Sequence, residues 1–449
     1  MHSHLRGHPA LIQAAEALSR LGARKFEIYF QRKASTRIEA KGQKIDNLAR
    51  SEDAGLSFRV LREGRIGFSY TTSLDRDAVD RAIRSAWEIA GFMPEDPHHD
   101  LLSFCETPYP SLDRLDLTGL ALPVEQKIAR ALELEGACMA SDPRIQAVRK
   151  ASFSETRYEV SLIDSSGEQL WHEGSMYSAA ISCRAESGGD NQMGHSSAHA
   201  THLEDLPIAD VARKAAIDAT EKLNATTAST RNCPAVIRRD AMADLVSFLS
   251  ASFSAEQVDK GRSMLGGRLG ERVFSERVSL VDDGLLAGGA ASSPFDGEGT
   301  PGRRTTLVDG GILASLLYDS YHARKHGRSS TGNAGRSIKA PPGIGSTNLY
   351  LEPGRLPFEQ LIEAAGDGVL ITDLMGVHTA NPVTGDFSLG ASGFLIKNGR
   401  IGRAIRGFAV AGNLRNLFGT IAELGSDLEF FGSVGAPSAL VPGLSVGGS

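Results

Sequence analysis

The order in which hydrophobic periods change along the first half of the chain narrows its possible folds more than any other feature. Residues 9–21, PALIQAAEALSRL, place apolar side chains at helical spacing and stop at Gly22, a residue suited to end a helix. FEIYFQRKASTRIEA then alternates, and GQKIDNLARSEDAGLSFRVLREGRIGFSYTTS continues that alternation between Gly-containing turns, which predicts an antiparallel run of about four strands. LDRDAVDRAIRSAWEIAGFM closes the unit with a helix, capped by Ser73 or Asp75 and carrying Ala78, Val79, Ala82, Ile83, Ala86 and Ile89 on one face. From about 124 to 222 the same order returns: the helix VEQKIARALELEGACMA, three β-rich stretches ending in MGHSSAHATHL, and the helix IADVARKAAIDATEKL. The order of patterns, rather than residue identity, predicts a duplicated antiparallel-sheet-plus-helix unit, about 9–93 and 124–222, inside an α+β amino-terminal domain spanning 1–225.

Near Ala225 to Asn232 the texture changes. One helix is predicted in DAMADLVSFLSASFS, followed by short strands punctuated by Gly, Pro and Asp-Gly pairs, with weaker helical patterning at FEQLIEAA and DSYHARKHG. Residues 233–449 therefore read as a β-rich domain, barrel- or sandwich-like. The 49 Gly in 449 residues, well above the usual ~7%, agree with a turn-dense chain.

A formal charge of -6 without a basic block supplies no electrostatic footprint for nucleic acid. Cys105, Cys138, Cys183 and Cys233 are far apart with no C-x-x-C pair, the pattern of reduced thiols in a cytoplasmic protein and of small core residues. Met1–His8 precedes no signal-like apolar run, and no window approaches ~18 continuous apolar residues. A cytoplasmic protein that neither binds nucleic acid nor spans a membrane is expected.

Familiar catalytic strings fail on context. His172-Glu173 is the only His-Glu pair; no second His follows at a helical return, so it reads as a surface strand pair rather than a zinc-peptidase helix. His195, His199 and His202 have helical ligand spacing, but GHSSAHATHL has strand composition, where residues four apart lie about 13 Å apart, too far for one ion. Gly297–Gly302 spells G-x-G-x-x-G, yet Pro301 and RRTTLVDGG predict a turn followed by a strand instead of a dinucleotide-binding helix. Tyr321 and Lys325 read as a solvated helix face. No G-x-S-x-G, S-x-x-K or P-loop string is present. No catalytic residue and no metal ligand is assigned.

Three carboxyl-half stretches are specific together: GRLGERVFSERVSLVDDG (267–284), SPFDGEGTPGRRTTLVDGGILASLLYDSYHARK (293–325) and NPVTGDFSLGASGFLIKNG (381–399). With TGNAGR (331–336) and EDAGLSFRVLREGRIGFSYTTSLD near the amino terminus, the chain resembles the TldD/PmbA family, the modulators of DNA gyrase, over almost its whole length. The resemblance implies a cytoplasmic pair that degrades or trims peptides, one TldD-type subunit carrying zinc and one PmbA (TldE) type lacking it. By resemblance, the zinc-bearing type carries H-E-x-x-x-H on the helix that opens the carboxyl domain, and a Cys ligand near the carboxyl end. Counting back from Lys260, the matching positions are Val246, Ser247 and Ala251, and no Cys follows Cys233.

The chain therefore looks like the PmbA type, with no cofactor of its own and zinc expected in a TldD-type partner. The alternative is a homodimeric peptide-binding or scaffold protein without hydrolytic activity. Aliphatic side chains at Val246 and Ala251 cannot ligate a cation, and the Ser247 hydroxyl is too weak to replace imidazole or thiolate. The helix is expected to serve as packing. The Gly-rich loops at 297–302 and 385–393 allow close backbone approach to an extended peptide, with Asp296, Glu298, Arg303 and Arg304 as the polar candidates for a substrate cleft.

Overall fold

The computed structural model describes residues 8–104 and 109–448; Cys105 lies outside them. The first unit is α1 (Ala10–Arg20), three strands β1 (Lys25–Lys41), β2 (Lys44–Arg62) and β3 (Arg65–Thr71), then α2 (Arg76–Phe92). After the short α3 (Leu117–Leu120), the second unit repeats the order with α4 (Val124–Ser141), β4 (Ile145–Asp164), β5 (Gln169–Ser187), β6 (Asp190–Ala200) and α5 (Ile208–Glu221). The first unit thus holds three strands where the alternation suggested about four, because β2 continues unbroken through LARSED, which is solvent-exposed.

The two units share one sheet of order β3-β2-β1-β4-β5-β6. Its seam is the antiparallel pairing of β1 with β4, from Glu27 opposite Asp164 to Ala40 opposite Ala151. The helices all lie on one face. Phe26, Ile28, Phe30, Leu56, Phe58 and Val60 pack under α1 and α2, and Phe153, Tyr177, Ile181 and Cys183 pack under α4 and α5, as the period of two requires of a half-covered sheet. A pair of glycines carries the repeat to residue level. A Cβ on Gly67 of β3 would lie 1.9 Å from the Ala86 carbonyl oxygen and 2.6 Å from the Ala90 nitrogen of α2. On Gly194 of β6 it would lie 2.2 Å from the Ala215 oxygen and 2.4 Å from the Ala219 nitrogen of α5. Each unit thus uses a glycine on its third strand, opposite two alanines one turn apart, to seat its closing helix.

The carboxyl half runs β7 (Arg231–Ile237), α6 (Arg239–Leu249), α7 (Ala255–Asp259), β8 (Leu280–Asp283), β9 (Arg304–Asp309), β10 (Ile312–Leu313), α8 (Ser320–Lys325), β11 (Ala334–Ser337), β12 (Ala340–Ile344) and β13 (Leu349–Leu351). It continues with α9 (Phe358–Ala365), β14 (Gly368–Met375), β15 (Asp386–Lys397), β16 (Arg400–Asn413), α10 (Leu414–Gly419), β17 (Glu423–Leu424), β18 (Glu429–Phe431), β19 (Val434–Ala436) and β20 (Ala439–Gly447). One sheet has the order β16-β15-β14-β7-β20-β17, and β16 also pairs with β20, so five strands close into a barrel-like ring. A second sheet, β10-β9-β8-β13-β19-β18, stands beside it. Met242, Leu245, Val246 and Leu249 of α6 are buried in the large core that the two sheets share, while α9 covers Val236 and Leu370 on another side of the barrel strands.

Candidate functional site

The sheet face turned away from the helices is where the two halves meet. Tyr29, Val160 and Leu162 point there and pack with Leu170 and with Phe295 of the carboxyl half. Between them run loop 293–302 and the segment 331–347, whose glycines let backbone approach backbone. A Cβ on Gly297 would lie 2.6 Å from the Ala334 carbonyl, and Gly332, at φ +72, would meet the Pro301 carbonyl at 2.7 Å. The result is a cavity of about 260 Å³ lined by Tyr29, His172, Asp296, Asn333, Arg336 and Thr347 among others. A neighbouring cavity of about 200 Å³ is bordered by Arg59, Glu298, Asp319 and His322.

Asp296 and Glu298 share the loop but face different partners. The Asp296 carboxylate accepts the backbone N–H groups of Glu298 (2.9 Å), Thr300 (2.9 Å) and Ala334 (3.0 Å), tying the loop to β11. Enclosure by protein and then the neighbouring Glu298 charge push its pKa up to about 7 in spite of those three donors. Glu298 is buried; it accepts from Arg59 of β2 at 3.0 Å and from the Ser320 backbone N–H at 2.8 Å. Arg59 also lies 3.6 Å from Glu27, which pairs with Arg336. Arg336 donates in turn to the Gly297 carbonyl and the Ser57 hydroxyl, each at 3.1 Å, and stacks 4.6 Å from the Tyr29 ring centre. Four alternating buried charges, Glu298, Arg59, Glu27 and Arg336, thus bind the amino-terminal sheet to the carboxyl half.

Arg303 and Arg304 are not brought into this junction. Both are exposed; Arg303 donates to the Ser330 carbonyl, and Arg304 pairs with Glu352 at 2.7 Å. Adjacent residues entering β9 diverge from the loop before it, which spacing alone does not disclose.

His172 differs from its expected role as a surface strand residue. Glu173 is on the surface, paired with Arg157 at 2.9 Å, but the His172 imidazole is wedged between Tyr158 and Phe295, with ring centres 5.8 and 5.0 Å away. Burial, and then the Arg114 charge, hold its pKa down to about 4, so it is neutral at pH 7, and its buried Nδ1 has no hydrogen-bond partner. Asn333, within the TGNAGR run, donates to Asp282 at 2.7 Å and to the Gly345 carbonyl at 3.1 Å, while its buried Oδ1 has no partner. The cavity wall therefore offers an acceptor, a neutral imidazole and an aromatic face.

Residues 297–302 form a turn feeding β9. His195 and His199 lie on strand β6 and His202 just beyond it. Lys325 is exposed and pairs with Asp259, but Tyr321 is half-buried and donates to Asp96 at 2.8 Å, pinning α8 to the amino-terminal half rather than facing solvent.

Of the three positions that the resemblance sets against a zinc motif, Val246 is fully buried in α6, whereas Ser247 and Ala251 are exposed. Ala251 falls beyond the end of α6, in the 3₁₀ turn Ser250–Phe253, so packing at this site is the work of Val246 and Leu249 rather than of all the positions expected. Cys138, Cys183 and Cys233 are buried free thiols. Among the described residues no helix is long and apolar enough to cross a membrane.

Comparison with known proteins assigns every major segment. PmbA/TldA metallopeptidase domain 1 matches residues 26–90, the central domain 118–223 and the C-terminal domain 230–448. The metalloprotease PmbA of Escherichia coli O157:H7 is 28% identical over 437 residues, covering 94% of this chain and 92% of that protein. A PmbA homolog of Haemophilus influenzae is 27% identical over 444 residues, covering 97% and 95%. Among solved structures, a protein of Thermotoga maritima described as a DNA gyrase modulator superposes with a TM-score of 0.89 at 25% identity, covering 97% of this chain and 99% of that one. TldE of Thermococcus kodakarensis shares the fold with a TM-score of 0.86 at 22% identity, covering 97% and 100%.

Proposed function

Because the chain belongs to the PmbA/TldD metallopeptidase family, we propose that it is the metal-free subunit of a peptide-degrading complex, completed by a zinc-bearing TldD-type partner. One observation carries this reading: where the family resemblance calls for two His and a Glu, the chain has Val246, Ser247 and Ala251, and no Cys follows Cys233. The residues present do not fit zinc. Val246 is enclosed by apolar neighbours, and among the described residues no group of three or more His, Cys, Asp or Glu could hold a metal ion. No chemical step is therefore assigned to this chain. Its contribution is to enclose and hold peptide, and the Gly-lined cavity at the junction of its halves suits an extended main chain with one side chain inserted. The pair works in the cytoplasm, where buried thiols stay reduced, and has no nucleic-acid role.

The test is purification of this chain alone and after co-expression with a TldD-type chain from the same genome. Elemental analysis and a peptide-cleavage assay are run with and without chelator. The expected result is a mixed dimer with zinc and chelator-sensitive cleavage, and a lone chain with neither. Failure to form the mixed dimer, or zinc-dependent cleavage by the lone chain, overturns the reading.

A further inference from the structure

Three buried polar atoms without a partner belong to side chains that line the cavity at the junction of the halves: Nδ1 of His172, Oδ1 of Asn333 and Nε of Arg336. Asn333 is 3% exposed and the Arg336 side chain 1%. A buried polar atom left unpaired is costly, so three of them around one space point to a ligand that completes them. The volume of about 260 Å³ lies just under the ~300 Å³ at which pockets for whole small ligands begin. It suits one inserted side chain.

The hydrogen bonds already made fix what each atom still offers. Asn333 commits both N–H groups of its amide, one to Asp282 and one to the Gly345 carbonyl, so Oδ1 can only accept. Arg336 donates through Nη1 to Glu27 and the Gly297 carbonyl and through Nη2 to Ser57, which leaves the Nε–H to donate. For His172 the neighbouring Ser293 decides. That hydroxyl gives its proton to the Phe295 carbonyl at 2.6 Å, so toward His172 Nε2, 3.5 Å away, it can only accept. The imidazole, neutral at pH 7, therefore carries its proton on Nε2 and presents a bare lone pair at Nδ1. The open positions are two acceptors and one donor.

A primary carboxamide matches all three. Its two N–H groups supply Asn333 and His172, and its carbonyl accepts from Arg336. A carboxylate has no proton to give and sets its lone pairs against both acceptors. An ammonium leaves the Arg336 N–H without an acceptor and adds a like charge beside it. A main-chain amide or a hydroxyl brings one proton for two acceptors, and an apolar side chain satisfies none of the three. A site built to bond a polar group rejects analogues that lack it, because its own buried groups are then left unpaired. The Tyr29 and Phe295 rings, which also line the cavity, give the methylene stem an apolar wall.

We propose that this cavity is a specificity pocket for the primary carboxamide of an Asn or Gln side chain in an extended peptide. The pocket rests on the reading that the chain holds peptide at the junction of its halves, and adds which residue is held there.

The test is binding of acetyl-Gly-Xaa-Gly-N-methylamide peptides, with Gln, Asn, Glu, Met or Lys in the middle, to the full chain alone at pH 7, by calorimetry and ligand-observed NMR. The Gln or Asn peptide binds at least ~tenfold tighter than the Glu, Met and Lys peptides. His172→Phe keeps a ring between Tyr158 and Phe295 but removes the Nδ1 acceptor. It weakens the preferred carboxamide peptide roughly three- to tenfold and leaves the Met peptide unchanged, with circular dichroism confirming the fold. Glu or Met binding as tightly as the carboxamides, no measurable binding of any peptide, or a preference untouched by His172→Phe overturns the proposal. The measurement needs neither partner nor zinc. Lost preference beside a chelator-sensitive mixed dimer refutes the pocket alone, whereas a retained preference in a chain that never forms the mixed dimer supports the pocket and refutes the metal-free-subunit reading.

Discussion

Replacing Glu298 with Gln tests how the two halves are held together. The side chain is 3% exposed and serves two donors, Arg59 at 3.0 Å and the Ser320 N–H at 2.8 Å. Gln retains one carbonyl acceptor and adds an NH₂ that has to face either the guanidinium or the backbone N–H. Breaking one member of a buried charge pair commonly costs about 3–5 kcal/mol, because the other charge is left uncompensated. Here Glu27 remains 3.6 Å from Arg59 and compensates in part, which places the expected loss near the lower end, about 3 kcal/mol. Arg59→Met alone should cost a similar amount, by stranding Glu298. The double variant removes both charges, so its cost should fall short of the sum by at least ~1 kcal/mol. Urea unfolding, followed by Trp fluorescence and circular dichroism together, measures each value and shows whether the halves still unfold as one. Strict additivity, or a loss below ~0.5 kcal/mol for Glu298→Gln, would refute the idea that alternating buried charges fasten the junction.

Gly67→Ala and Gly194→Ala should each destabilise by about 1–3 kcal/mol through overpacking against helix backbone, and each should loosen mainly its own unit; hydrogen exchange that leaves the neighbouring helix unaffected would contradict the close approach. For Asp296 the folded pKa of about 7 lies above the unfolded value near ~3.9. The folded state therefore binds more protons, and the native chain loses stability as pH rises from roughly 4 to 7. Asp296→Asn should flatten that part of the pH–stability curve, and an unchanged slope counts against the raised pKa. Grafting Val246→His, Ser247→Glu and Ala251→His together should fail to yield one zinc per chain, since Val246 is in the core, Ala251 lies beyond the end of α6 and no Cys follows Cys233; stoichiometric zinc by elemental analysis would refute this. Duplex DNA should show no retention at moderate salt, given the -6 charge without a basic block; a tight, salt-sensitive complex would reverse that.

Much of the fold was written locally. Helices α1, α2, α4 and α5 fall within a few residues of their predicted spans because each carries a clean 3.6-residue apolar face, and Gly22 ends α1 at φ +77 as its position suggested. β4, β5 and β6 were legible because alternation and turn residues agree. β2 was legible only in part: its strand character showed, but Ile45 and Leu48 are three apart across the bulge at Asp46, which breaks the period of two and hides the strand's unbroken length. Nor does any local pattern reveal that β1 pairs with β4 to fuse the two units. The same limit applies at the junction. Asp296 and Glu298 stood out as acidic residues in a Gly-rich loop, but Glu298's partner Arg59 is 239 positions away and reads as one more strand arginine. His172 was misplaced because its alternating neighbours describe a strand without saying which face another domain would cover. Asn333 lay inside a run already singled out, and its buried, unpaired acceptor became visible only once Asp282 and Gly345 were seen to fix its amide.

The seam between β1 and β4 also bears on the chain's birth. As it leaves the ribosome, the first unit can cover most of its apolar face with α1 and α2 at once, but β1's outer edge is not fully paired until Asp164 has been made, more than a hundred residues after Lys41. At ordinary translation speeds of ~5–20 residues per second that wait lasts roughly 6–25 s. During this interval a long strand edge of a nearly complete half-sheet is open to any nascent neighbour, including another copy of itself on the same message. The duplication that builds so broad a sheet thus creates a window in which chaperone cover matters most, and it closes when the second unit zips alongside the first.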